Sequence, residues 1–166
     1  MSDIILEPSS YWQKSFSHAN QMLDRPVSPT LLLYLSSVIK EYENKKPLQQ
    51  PSIALWIDTH RKATVDIKSY AESCLITAGL FPNSSQDAGL SLPIYCHMGI
   101  TCYKILHKTN NTGIYFSIAD NFICLMDIML FIQSMHAHKP LFNPNQAKRI
   151  WEKTKSQYAK ELVKNS

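Results

Sequence analysis

The chain has 166 residues and a formal net charge of +4 at pH 7, with 45% hydrophobic and 18% charged residues. That length suits one domain and is too short for two independent cores plus a linker. The apolar content excludes global disorder, and 4 glycines with 9 prolines exclude collagen-like and low-complexity classes.

The N-terminal stretch Met1 to Tyr11 carries Asp3 and Glu7 and has no basic start. It lacks an apolar run of signal-peptide length, which predicts a cytosolic chain with reduced thiols. Ser9 or Ser10 caps a first helix through about Met22, ended by Arg25-Pro26. Ser28-Pro29 is a start signal, an N-cap followed by proline at the first helical position. Leu31, Leu32, Leu35, Val38, Ile39 and Tyr42 recur at helical spacing up to Lys46-Pro47.

Pro51-Ser52 opens the next helix, with a break expected near Thr59–Ala63 because Thr64 and Val65 are poor helix formers. The apolar pattern returns from Val65 to Ala78, and Gly79 with Pro82 predicts a C-terminal stop. Asn83 to Gly89 is a loop. Ser91 caps a helix with the stripe Ile94, Tyr95, Met98, Cys102, Ile105 and Leu106. After the polar turn Lys108 to Gly113, an apolar central helix spans about 114–135, and a basic last helix spans about 145–164 with Trp151 docking it onto the body.

These elements predict an all-α fold, a compact single-domain bundle of six or seven helices over residues 1–166. The segment Ile114–Met135 has the length of a membrane span. Two aspartates inside it would cost roughly 2.5–3.5 kcal/mol each on insertion scales. A buried helix of a soluble bundle is the cheaper arrangement, so no membrane partner is expected.

Asp120, Asn121 and Asp127 form a polar stripe on that central helix. In a continuous helix, Asp120 and Asp127 share one face about 10 Å apart. The stripe could hold a site, but Glu-x-x-His is absent, and water or a neighbouring Lys or Arg is the expected partner. Asp58, His60 and Arg61 make a compact polar group that suits a hydrophilic corner better than an acid–base couple. Cys74, Cys96, Cys102 and Cys124 show no C-x-x-C spacing and sit in apolar runs, as small hydrophobes do. Cys96, His97 and Cys102 cannot all face one tetrahedral zinc from a straight helix, and His136 with His138 has the same defect. No metal or cofactor is expected. Phosphate-cradle and nucleophile-elbow motifs are missing, which argues against nucleotide hydrolysis.

Seven basic residues from Lys139 onward face only Glu152 and Glu161, so the tail carries +5 while residues 1–138 sum to −1. Lys148, Arg149, Lys153, Lys155 and Lys160 are spread around the last helix, which favours a solvated face over a nucleic-acid contact.

Between Thr77 and Tyr103 stand Gly79, Phe81 and Pro82 in A-G-L-F-P, Leu90 and Leu92, and Tyr95, Met98, Gly99 and Tyr103 in Y-C-H-M-G-I-T-C-Y. This segment resembles an uncharacterised family of small bacterial helical proteins. The resemblance covers about a sixth of the chain and implies a helical fold but no reaction, cofactor or ligand. Acidic residues often precede the tyrosine in that family; Ser91 and Pro93 stand there in this chain. Read physically, Gly99 inside a helix costs about 1 kcal/mol against alanine and predicts a tight helix crossing along Tyr95, Gly99 and Tyr103.

The expected function is a cytosolic helical module without catalysis that self-associates or binds a protein partner. The alternatives are a nucleic-acid-associated regulator using the basic tail and an enzyme built on the polar stripe or His60.

Overall fold

The computed structural model describes residues 9–44, 66–84, 87–110 and 112–166. The helix opening at Pro51, the break near Thr59 and the Asp58, His60 and Arg61 group lie outside the described residues. So does the end of the second helix, expected near Lys46-Pro47.

The architecture is all-α: eight helices and no strand among the described residues. They are α1 (Ser9–Gln21), α2 (Pro29–Asn44), α3 (Ile67–Leu80), α4 (Ala88–Asn110), α5 (Gly113–Asp120), α6 (Phe122–Ala137), α7 (Pro144–Thr154) and α8 (Gln157–Lys164). Buried apolar side chains from every one of them join a single cluster.

Local capping explains most starts. Ser28 Oγ accepts the Leu31 N–H at 3.4 Å ahead of Pro29. Asp66 accepts both the N–H and the hydroxyl of Ser69 at the head of α3. Asn143 and Gln146 form a reciprocal capping box around Pro144. Helix α4 starts earlier than expected: Asp87, not Ser91, takes the Gly89 N–H at 3.0 Å, which places Pro93 inside the helix.

Two helices that look continuous in sequence are broken. The apolar segment 114–135 divides at Asn121 into α5 and α6, which meet at a 59° bend. The Asn121 side-chain amide donates to the Ser117 carbonyl at 2.8 Å, a local bond that competes with helix continuation. No single described helix is long and apolar enough to cross a membrane; α5 and α6 reach that composition only as a bent pair. The basic segment 145–164 divides at Lys155, whose φ of 61° is left-handed and whose N–H closes α7 on the Trp151 carbonyl.

Helices α3 and α6 form the interior. Every residue from Tyr70 to Leu80 and from Leu125 to Ile132 is buried, the pattern of a helix enclosed on all sides. The two pack on each other, α4 lies against α3, and α5 and α7 lie against α4. Gly79 is not a C-terminal stop. It sits inside α3, which ends at Leu80 with Phe81 as its C-cap, and a Cβ there would overlap the Met129 thioether of α6. The Gln133 amide of α6 donates to the Gly79 carbonyl, so the same close approach is also hydrogen-bonded.

At Gly99 a Cβ would lie 2.6 Å from the Phe122 ring and 3.0 Å from Cys74 Cβ. A methionine tip can swing aside, but this ring is fully buried and cannot. Gly99→Ala therefore gains about 1 kcal/mol of helix propensity and still meets an overpacking cost of roughly 1–3 kcal/mol. The expected outcome is a lower urea midpoint for Gly99→Ala and a larger loss for Gly99→Leu. A midpoint equal to the wild type contradicts the steric account.

Candidate functional site

The polar stripe does not stay together. Asp120 ends α5 on the surface and pairs with Arg25 at 3.2 Å, an exposed contact of small energetic value. Asn121 is the hinge residue between α5 and α6. Asp127 points the other way, into the bundle, and is 2% exposed. The bend at Asn121 separates the two carboxylates, so they share no helix face. The expectation of water or a basic neighbour fits Asp120 but not Asp127.

Asp127 meets the start of α8. Its Oδ1 accepts the Ser156 hydroxyl at 2.5 Å and its Oδ2 accepts the Gln157 N–H at 2.9 Å. Ser156 is fully buried and caps α8 through the Ala159 N–H. The carboxylate therefore sits at the positive end of a helix, yet burial still pushes its pKa up to about 7.

A second buried network escaped the sequence reading. The Tyr34 hydroxyl on α2 lies 3.0 Å from the Tyr103 hydroxyl on α4 and donates to Glu72 Oε1 on α3 at 3.2 Å. Lys68 approaches the same carboxylate oxygen at 3.6 Å from the solvent side. Burial raises the Glu72 pKa, Lys68 opposes that rise, and Glu41 adds to it. Both phenols are held well above their ordinary value by burial. Tyr115 stacks on Tyr103 with ring centroids 6.3 Å apart, and Phe122 closes the other side at 6.2 Å. Chemically this is an ion pair to an exposed ammonium that continues into a hydrogen-bonded chain from Glu72 through Tyr34 to a fully buried phenol, and it ties α2, α3 and α4 together. Nothing in the spacing of residues 34, 72 and 103 announces it, because only tertiary packing brings them together.

Tyr95 is half-buried on α4, Gly99 faces Phe122 and Cys74, and Tyr103 belongs to the network just described. The four thiols are free. Burial pushes Cys102 up to about 12 and raises Cys74, Cys96 and Cys124 as well, which leaves them protonated and poorly nucleophilic. Among the described residues no three His, Cys, Asp or Glu side chains converge as a metal site.

On the surface, Lys148, Arg149, Lys153, Lys155 and Lys160 are all exposed. Arg149 pairs with Asp87 at 3.5 Å and Lys155 lies 5.8 Å over the Trp151 ring. Leu90 and Ile94, one turn apart on α4, are 60% and 47% exposed. They face outward because the buried side of α4 is already occupied by Leu92, Cys96 and Gly99. The chain matches no protein-family model, no curated protein and no solved structure, so function has to be read from this geometry alone.

The tyrosine network yields a non-additive expectation. Tyr34→Phe leaves the buried Tyr103 hydroxyl without the partner at 3.0 Å, which costs about 1–3 kcal/mol. Tyr34→Phe/Tyr103→Phe removes both polar atoms of that bond and is expected to recover part of the loss in urea denaturation. Strict additivity of the two single changes contradicts the direct hydroxyl–hydroxyl contact.

Proposed function

We propose that this chain is a cytosolic, single-domain helical module without catalysis, and that it works by self-association through the outer face of α4. The observation that carries the reading is the Leu90 and Ile94 pair, two large apolar side chains exposed side by side on a helix whose other face is core. Burying such a pair against a like surface removes apolar area from water, which drives association. The neighbouring Asp87 and Arg149 supply both charge signs at the edge of the strip, as a two-fold contact between identical copies can use. The resemblance over Thr77–Tyr103 belongs to the same proposal: it would place the chain in a family of small bacterial helical proteins.

The interior polar groups favour this reading over an enzyme. Asp127, Ser156, Tyr34, Tyr103 and Glu72 are engaged with one another, and the two aspartates of the stripe are parted by a bend.

Sedimentation equilibrium of the full chain tests the proposal. A concentration-dependent dimer is expected, and Leu90→Glu/Ile94→Glu is expected to shift it to monomer without lowering the melting temperature, because both positions are exposed. A wild type that stays monomeric across the concentration range, or a dimer that the double variant leaves intact, overturns it.

One observation favours a second reading. Lys148, Lys153 and Lys160 are exposed, and among the described residues none of them pairs with a carboxylate. Those charges suit a polyanion such as nucleic acid. Binding to a duplex oligonucleotide would then weaken steeply with salt, with a slope near −0.9 per phosphate neutralised, and Lys148→Ala/Lys153→Ala would flatten it. Binding that ignores salt, or absence of binding at low salt, removes this reading.

A further inference from the structure

We infer that Asp127 is a proton-sensitive latch for the C-terminal helix: its protonation state sets how firmly α8 stays docked on α6.

Helix α8 is a short final helix, Gln157–Lys164, and buries Tyr158 and Ala159. It is joined to α7 through Lys155, a lysine in the left-handed region at φ 61°, followed directly by the cap Ser156. The left-handed cap turns the chain at this point, as His138 does at the end of α6. Two groups of contacts hold the far side. Tyr158 packs edge-on to Phe131 and Phe142, with ring centroids 5.1 and 5.9 Å away. The Gln157 side chain reaches back to the segment between α1 and α2, donating to the Met22 carbonyl and accepting the Asp24 N–H. Between them the start of α8 rests on the Asp127 carboxyl, through Ser156 and the Gln157 N–H.

Asp127 makes no ion pair with any described cation. Its titratable neighbours are Glu161 on α8, the Cys96 thiol on α4 and the Cys124 thiol on its own helix. A glutamate and two neutral thiols cannot offset a buried negative charge. The donors at the α8 terminus offset part of it, and a proton removes the rest. The proton is held to about pH 7 in the docked arrangement and to the ordinary carboxylate range near 3.8 once α8 leaves and water reaches the group. The docked state binds the proton more tightly, so docking is strongest below about pH 4 and is lost progressively as pH rises through about 7. Between pH 5 and 8 the docking equilibrium is expected to fall by at least tenfold. Opening would expose Tyr158 together with the aromatic wall of Phe131 and Phe142.

Native-state amide hydrogen exchange on the full chain, corrected for intrinsic rates, tests the latch. The α8 amides are expected to exchange through a local opening that depends weakly on denaturant and lies below the protection of α3. That protection is expected to fall by at least tenfold from pH 5 to pH 8. In Asp127→Asn, which keeps the shape and cannot ionise, the fall is expected to vanish. An α8 that shares one exchange isotherm with α3 at every pH, and so opens only by global unfolding, overturns the inference. If Asp127→Asn does not fold, the carbon resonance of the Asp127 carboxyl in the wild type decides: a midpoint near 7 supports the latch and one near 4 overturns it.

Discussion

The whole bundle hangs on the burial of two helices, α3 and α6, on every side. Neither can present a polar face to water, so each must be enclosed by neighbours, and the remaining helices take their positions from that requirement. Enclosure also sets the spacing. Side chains at the crossings must be small on one partner and large on the other to reach interior packing density. Gly79 accepts Met129, and Gly99 accepts the Phe122 ring. Both glycines act through close approach and not through backbone freedom, since neither has a positive φ.

Once those two helices are enclosed, any polar group they carry must find a partner inside. Glu72 on α3 and Asp127 on α6 are the two buried carboxyls of this kind, and each is met in its own way. Glu72 lies near the edge, where Lys68 reaches it from solvent and the Tyr34 hydroxyl, itself bonded to Tyr103, donates to it from within. Asp127 lies deeper and is met only by hydroxyl and backbone donors at the start of α8. The first arrangement holds a charge with a counter-charge; the second holds a charge without one. That difference makes Asp127 the group whose ionisation bears most directly on the fold.

The outer surface carries apolar and basic groups. Leu90 and Ile94 are exposed on α4, and Lys148, Lys153, Lys155 and Lys160 are exposed along α7 and α8 and at their junction. Surfaces of those two kinds act by contact, apolar in one case and electrostatic in the other.

The amino-acid sequence by itself determined the helical class, because apolar residues recur at helical spacing and no alternating run long enough for a sheet interrupts them. The start signal Ser28-Pro29 was legible too, since a cap is a local interaction between residues three apart. The cysteines were legible as apolar fillers for the same local reason, each lying within an apolar run. Tertiary structure decided the breaks at Asn121 and Lys155, the position of Gly79 inside its helix, and the opposite fates of Asp120 and Asp127. Helical periodicity reports one face of a local rod, and it cannot register a bend stabilised by one side-chain amide. Nor can it report a partner that arrives from another helix, as Tyr34 does for residues 72 and 103 and Ser156 does for residue 127. Those contacts exist only after the chain has closed on itself.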